Sequence, residues 1–464
     1  MKYSQLMSIK NLKSVFILFN LFPAILFAQE IQHYSLRQCI QQAMTENISI
    51  LKAQLDEEEG RQKTKEVKAT AFPQINATGE LIDNVLRQAF VFPAALGNPN
   101  ASPDDYIVLR AGLPYSTSIN VQANQQLFNQ SLFTGIKAAK VGEDYYKFNR
   151  ERIEEETIHQ VASLFYRVAT LKTQQIVLET NQEELQKSLA ITNDRFNSGL
   201  ARKLDVDRLR IGVTNIETQL ATIRDSYSVS ISQLKLLIGL NKDFAFDIDF
   251  QLPADLDSAF LNYTPTSLAT EFLWEDKIEY KQLTTQLSLY QLERKNYSAG
   301  YYPTLSAFAN YTYQGQSNSF FLASDAKPLW FDVASIGLRL NVPIFDGFRK
   351  PAQMQQSRIR QMKTEKDLAF VKQQSSTVSE NAARSLEVNY KNFQAQRQNV
   401  MLANSVYDAT EQNYNEGISP LTDLLQAETA RIQAQSQLIE ALLKVKQSEI
   451  DLLRANGNIK SLLN

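Results

Sequence analysis

The chain reads as a mainly helical protein with a small β part, laid out as two copies of one plan. Three observations lead there. Glycines, aspartates and leucines recur in the two halves at one constant offset. Heptad-spaced apolar residues run through segments of roughly 65 residues that are almost free of proline. Four shorter segments alternate apolar and polar residues with a period of two. With only 15 Gly and 13 Pro in 464 residues, breakers are scarce, which suits long helices. A formal charge of −2 gives no basic footprint for nucleic acid.

Taken in order, residues 1–28 have the layout of a secretory signal peptide. Lys2, Lys10 and Lys13 form a basic start, Val15 to Phe27 an apolar run, and Ala28 the small residue at the cleavage site. The run is too short for a spanning anchor, the competing reading. Removing three lysines leaves the mature chain at about −5. The single cysteine, Cys39, has no partner for an internal disulfide and reads as a small packing residue on a helix.

The repeat maps Gly199 onto Gly417, Asp205 onto Asp423, Leu220 onto Leu438 and Gly239 onto Gly457. Phe72-Pro73-Gln74-Ile75 is similarly echoed by Tyr302-Pro303-Thr304-Leu305, and Leu127-Phe128-Asn129 by Ile344-Phe345-Asp346. The first copy spans 29–239, with strands at 72–82 and 115–128 and long helices at 131–196 and 202–238. The second spans 266–457, with strands at 302–313 and 331–345 and long helices at 349–414 and 420–456. Residues 240–265 join them, and 458–464 form a tail.

Val206, Val213, Leu220, Tyr227 and Leu234 recur every seven residues, and Leu209, Ile216, Ile223, Ser230 and Leu237 follow three positions later, which makes an a/d seam. Ala427, Ala434, Ala441, Ser448 and Ala455 make the matching seam in the second copy, small enough for close helix approach. Leu164, Leu171, Leu178 and Leu185 mark the first very long helix, and Leu386, Phe393, Val400, Tyr407 and Tyr414 the second. A helix of roughly 65 residues reaches about 100 Å, a length suited to crossing the periplasm.

In the strands, Ala334, Ile336, Leu338, Leu340, Val342 and Ile344 alternate with Ser335, Gly337, Arg339, Asn341 and Pro343. Leu305, Ala307, Ala309, Tyr311 and Tyr313 share one phase, as do Ile119, Val121 and Ala123. This is the pattern of a lipid-out, water-in barrel, and equally of a half-buried sheet in a soluble protein. Four strands cannot close a barrel alone. In lipid an open edge leaves backbone groups unpaired, so four strands there must close by association of chains. Residues 83–114 and 314–330 join the strand pairs; Pro93, Gly97, Pro99, Pro103, Gly112 and Pro114 mark the first as a long loop.

At the helix ends, Pro73 and Pro303 fit helix-to-strand breaks. Asn129 and Asp346 fit N-caps, and Gly199 and Gly417 left-handed helix closures. Ser419-Pro420 fits an N-cap followed by a first-turn proline. Tyr302-Pro-Thr-Leu-Ser-Ala307, Val342-Pro-Ile-Phe-Asp-Gly347 and Tyr414-Asn-Glu-Gly-Ile-Ser-Pro-Leu-Thr-Asp423, in their order and duplication, resemble the TolC-like outer-membrane efflux family over essentially the whole mature chain. The resemblance implies a homotrimer whose 12-stranded β-barrel, four strands per chain, sits in outer-membrane lipid. That barrel would continue into a periplasmic barrel of long coiled-coil helices, with 240–265 and the tail in a mixed equatorial region. It implies a passive exit duct for solutes or proteins, working with a periplasmic adaptor and an inner-membrane pump.

No catalytic constellation and no cofactor motif is present. His33 and His159 are isolated, and Glu154-Glu-Glu156 reads as a solvated helix face. Asp205 and Asp423 follow the two helix tips, either as ordinary first-turn acids or as carboxylates ringing an entrance. The resemblance aligns Asp423 with an entrance-ring aspartate and Tyr414 with a latch tyrosine. It departs at Gln426, where a second acid is expected, and at Ser419, where a latch arginine is expected. Gly199 and Gly417 mark the tips as the expected landing site of an adaptor. The competing function is a periplasmic coiled-coil scaffold without transport; an enzyme using 240–265 lacks a plausible active-site cluster.

Overall fold

In the computed structural model, residues 31–97, 100–250, 274–324 and 327–463 are described. The expected signal segment, its cleavage residue Ala28 and residues 251–265 of the linker lie outside them. Two short helices open the described chain, α1 (Leu36–Glu46) and α2 (Ile48–Ala69). Ser35 and Gln38 form a reciprocal capping box at α1. Asn47 caps α2 with its side-chain oxygen and donates through its amide to the Leu237 carbonyl at 2.7 Å, tying the start of the repeat to its end.

The chain then enters a sheet through Pro73. Strands β1 (Gln32–Tyr34) and β6 (Phe246–Ile248) form a separate parallel pair near the helices' midpoint. The main sheet is antiparallel in the order β2 (Gln74–Asp83), β5 (Tyr115–Phe128), β7 (Thr304–Ser317), β8 (Leu329–Asn341). Its register sets Ala77 opposite Val121, Val121 opposite Tyr311, and Tyr311 opposite Ala334. Residues directly opposite share a face. Ile75, Ile119, Ala309, Ile336, Leu338 and Leu340 therefore fall on one apolar face, while Asn76, Asn120, Gln122, Asn310, Thr312 and Ser335 fall on the other. The apolar face is open in the single chain: Ile336 is 87% and Leu338 68% exposed. Gly315 stands opposite Trp330, whose ring occupies the space a Cβ would need, at 2.9 Å. That ring stacks on Tyr313 at 4.9 Å between centroids.

The 83–114 connection differs from a plain loop. It holds a β-hairpin, β3 (Ala89–Pro93) paired with β4 (Tyr106–Arg110). Gly97 and Pro103 lie toward its tip, Gly112 and Pro114 at its base, and Pro93 ends β3, which leaves two five-residue runs free to pair.

Below the sheet, each repeat supplies one very long helix and one about half its length. The first pair is α3 (Gln130–Asn197, 68 residues) and α4 (Lys203–Leu237, 35 residues). After α5 (Ile278–Ala299), the second is α6 (Arg349–Asn415, 67 residues) and α7 (Leu421–Ala455, 35 residues). Equal lengths in the two copies give hairpins of the same reach. The seams are buried as their spacing demands: Leu209, Ile216 and Leu220 in α4, and Ala427, Ala434, Ala441, Ser448 and Ala455 in α7. The long helices outrun these partners, and their upper halves pair instead with α2 and α5. Thr64 donates to the Ala139 carbonyl at 3.1 Å, and Ser357 to that of Tyr290 at 2.8 Å. Among the described residues no helix is long and apolar enough to cross a membrane.

Two caps differ from the sequence expectation. Asn129 caps α3, accepting from the Leu132 N–H. Asp346 sits further back than an N-cap: Phe348, in a left-handed conformation, holds that place, and the Asp346 carboxylate accepts the Lys350 N–H at 3.1 Å. Pro420, with ψ at 156°, is itself the N-cap of α7, so Ser419 precedes the cap. Extended ψ is not helical, and the ring's missing N–H makes proline harmless there.

The core at mid-height joins α1, α3 and β6 around Phe165, Val161, Ile158 and Ile248. Cys39 is fully buried in it, and burial pushes its thiol up to about 12, so it packs as an inert apolar group. His159 lies nearby with Nε2 at 2.8 Å from an Asp451 carboxylate oxygen.

Glu155, on α3, lines a cavity of about 480 Å³ with Lys277, Glu279, Asp451 and Arg454. Burial raises its carboxyl to about 7; Lys460 opposes the rise and Glu279 adds to it. The folded chain thus holds a proton that the unfolded chain releases near 4.5. Stability contributed by this group is complete below about 4.5 and falls as pH rises toward about 7. Glu155→Gln should abolish that fall. Its melting temperature, compared with wild type across that range, should show an advantage that grows with pH and vanishes in acid.

Candidate functional site

The two helix tips are the point where repeat symmetry is kept in the backbone and lost in the side chains. Gly199 and Gly417 take φ of +73° and +77°. Each closes its helix with the same paired bonds: Gly199 N–H to Phe196 O and Leu200 N–H to Arg195 O, matched by Gly417 N–H to Tyr414 O and Ile418 N–H to Asn413 O. A Cβ would find open space at either glycine, so the positive φ alone demands glycine.

The aspartates that follow differ sharply. Asp205 is 9% exposed and faces two guanidinium groups, Arg202 Nε at 3.2 Å and Arg208 Nη1 at 3.8 Å. Its Oδ1 is buried and makes no hydrogen bond among the described residues. Asp423 is exposed, and its carboxylate accepts from the Thr422 hydroxyl at 3.3 Å and forms no ion pair among the described residues. The repeat explains the contrast. The offset that maps Asp205 onto Asp423 maps Arg202 onto Pro420 and Arg208 onto Gln426, so the second copy has lost both cationic partners. Tyr414 is half-buried and packs on the apolar cluster of Leu209, Leu421 and Leu424. The structure therefore places Tyr414 and Asp423 at the same tip, and Asp205 at the other, ion-paired with Arg202 and Arg208.

Two turns above Asp423 lies a group that sequence reasoning passed over. Arg431 of α7 is buried against α3 and α6. Its guanidinium donates to Asn181 at 2.9 Å, to the Glu184 carboxylate, and to Glu428 at 3.2 Å. It stacks on the Tyr407 ring with its central carbon 3.8 Å from the centroid. Asn181 also donates to Gln435 at 3.2 Å. The guanidinium fits because its seam neighbours are Ala427 and Ala434. Burial holds the Glu428 carboxyl above its ordinary range, against the pull of Arg431. Burial also opposes the charge of Arg431, but the Glu184 and Glu428 carboxylates outweigh it and hold that charge firmly. Arg431 Nε has no hydrogen bond among the described residues. The available signal was Glu428 and Arg431 at i,i+3 facing Asn181 and Glu184 at the same spacing, with Tyr407 as a large ring opposite an alanine seam.

The profile of a family described as outer membrane efflux protein matches residues 39–240 and 281–458. The chain is 21% identical over 445 residues to outer membrane protein TolC of Escherichia coli strain K12, covering 93% of this chain and 84% of that one. It is 21% identical over 390 residues to the pyoverdine export outer membrane protein OpmQ of Pseudomonas aeruginosa, covering 84% and 78%. Its fold matches the outer membrane protein VceC of Vibrio cholerae with a TM-score of 0.68 at 14% identity, over 91% of this chain and 96% of the other. It matches the CmeC outer membrane channel of Campylobacter jejuni with a TM-score of 0.70 at 11% identity, over 91% and 85%.

Arg431→Met should leave Glu428 charged or protonated in a buried place without its partner, at about 3–5 kcal/mol, the usual cost of breaking a buried pair from one side. Pairing it with Glu428→Leu should recover most of that loss, because an apolar contact replaces the orphaned acid. Thermal unfolding of the two variants beside wild type reads both effects. A single variant as stable as the double would show that the network contributes nothing.

Proposed function

The chain belongs to the outer membrane efflux protein family, and on that premise we propose how its own residues build and gate the channel. It is an outer-membrane efflux channel component with a large periplasmic portion, and its family are channels, not enzymes. The observation that carries the assembly is the four-stranded sheet, with one face apolar across its middle and, among the described residues, two unpaired edges, β2 and β8. Hydrocarbon accepts the face and rejects the edges. Three chains, β2 of one beside β8 of the next, close twelve strands and remove every edge. Tyr115, Tyr313 and Trp330 lie on the apolar face at its far end; Phe72, Tyr302, Phe128 and Phe345 stand at the helix end. These two aromatic belts mark the two headgroup levels. A scaffold without transport gives no use for that exposed face.

The helix hairpins then form the periplasmic tunnel, with the tips at Gly199 and Gly417 as its entrance and the landing place of an adaptor that links it to an inner-membrane pump. Three copies of Asp423 ring the entrance and favour cations. Asp205, held by Arg202 and Arg208, adds little to that ring. Tyr414 seals the tip through its packing. With Ser419 and Gln426 in place of the family's latch and second acid, Arg431 supplies a polar tie between the hairpins near the tips, beside the apolar cluster that also joins them.

Mass measurement in detergent should give three chains. Leu338→Arg and Leu340→Arg should each lower the yield of outer-membrane trimer, at about 2–4 kcal/mol near the bilayer midplane, while Ser335→Arg on the water face is tolerated. Equal loss from all three would contradict the strand phase.

Asp423→Asn should relieve block by multivalent cations in planar-bilayer conductance and leave trimer yield unchanged, since a first-turn charge is worth only about 0.3–1 kcal/mol. Asp205→Asn should relieve far less. Wild-type block in the Asp423 variant would return that residue to a plain helix-start acid.

A further inference from the structure

The hairpin β3/β4 stands at the end of the sheet farthest from the helices, between β2 and β5. A clasp holds its base: the Asn84 N–H donates to Pro114 O at 2.7 Å, its side-chain amide to Leu113 O at 3.2 Å, and the Ala111 N–H to Gln88 O at 3.1 Å. Beyond the clasp the register runs from Ala89 opposite Arg110 to Pro93 opposite Tyr106. Phe90, Phe92, Ile107 and Leu109 share one face, with the two phenyl rings 6.4 Å apart. Val91 and Val108 share the other. All ten strand residues are exposed in the single chain, and Arg110 is the sole charge among them.

Such an element cannot stand alone. A two-stranded hairpin is marginal in water, and this one is apolar on both faces. Its own sheet covers neither face. Bilayer hydrocarbon would suit the side chains but would leave the outer backbone groups of both strands unpaired. The remaining surface that suits it is another copy of itself. A rotational assembly joins each copy to the next through two different patches. The hairpin offers two different apolar patches, and it rises from β2, the edge strand at the seam between chains.

We propose that the three hairpins pack on one another over the outer mouth, with the Phe90–Phe92 face of one on the Val91–Val108 flank of the next. At the usual sheet spacing of about 10 Å they form a small apolar plug that narrows the exit. This rests on the trimeric reading above. It adds a second constriction, at the opposite end of the channel from the entrance tips.

The test uses the full chain, in which the native Cys39 is buried and silent. Val91→Cys with Leu109→Cys places one thiol on each face, pointing apart within a chain and toward each other between chains. Oxidation of the double variant should give covalent trimers on denaturing gels, and either single variant should stay monomeric there. Replacing residues 89–110 with a two-residue turn should raise single-channel conductance severalfold without loss of trimer. Covalent species from a single variant would show like faces meeting and overturn the face-to-flank packing. A double variant that is trimeric by native mass yet yields no covalent species, with wild-type conductance after shortening, would overturn the plug. If wild type itself is not trimeric by native mass, it is the assembly reading that fails.

Discussion

Backbone hydrogen bonding at the two edges of one sheet is the constraint from which the rest of the molecule follows. Strands β5 and β7 are paired on both sides, while β2 and β8 each present one open side. In water an open edge costs little, because solvent pairs with it. Next to hydrocarbon it costs several kcal/mol for each group left unpaired. The apolar side chains select the hydrocarbon, so the backbone must find its partners in other chains. In the proposed trimer, closure is therefore a property of the assembly and not of the single chain.

The helices answer to the same geometry. A helix in the wall of a tube has neighbours on two sides, so one heptad seam is not enough. Leu209, Ile216 and Leu220 of α4 are buried within the chain, but Leu204, Ile211 and Leu236 on the same helix are exposed. On α6, Leu386 and Phe393 are buried while Val388, Met401 and Leu402 are not. Among the described residues these side chains stay exposed in the single chain. They match the open strand edges above them, and both are accounted for by neighbouring copies in the proposed trimer. The same reasoning extends to the hairpin at the outer end, where the unpartnered apolar surface is two-sided.

Much of this was legible in the sequence because it is periodic or local. Period two gave the strand phase that pairs Val121 with Tyr311 and Ala334. Period seven gave the alanine seam of α7, and two glycines at one offset gave the left-handed closures of both tips. What was not legible depended on geometry across the chain or on competition between local signals. Prolines and glycines around 83–114 masked two short apolar runs that pair only with each other. Asp346 and Ser419 carried good capping chemistry but lost the cap position to Phe348 and Pro420, whose backbone angles decide where a helix starts. Asn181 and Arg431 meet only because two hairpins pack side by side, and no single-helix pattern reports such a contact.

The repeat makes the tips informative, because one backbone arrangement occurs with two different sets of side chains. In the first copy the aspartate keeps Arg202 and Arg208, and its charge is consumed inside its own hairpin. In the second copy proline and glutamine stand in their places, and Asp423 faces solvent with its charge unspent. Two turns higher stands Arg431, which has Val213 as its counterpart in the first copy and is turned toward α3. That placement changes what a movement must break. Sliding α6 and α7 together against α3 leaves their shared seam of Leu386, Phe393 and the alanines intact. It cannot leave Arg431 in contact with both Asn181 and Glu184. The heptad seams therefore keep each hairpin whole, while the largely buried Arg431 adds a directional polar tie to the apolar cluster of Leu178, Leu185, Leu209, Tyr407, Leu421 and Leu424 that joins the two hairpins.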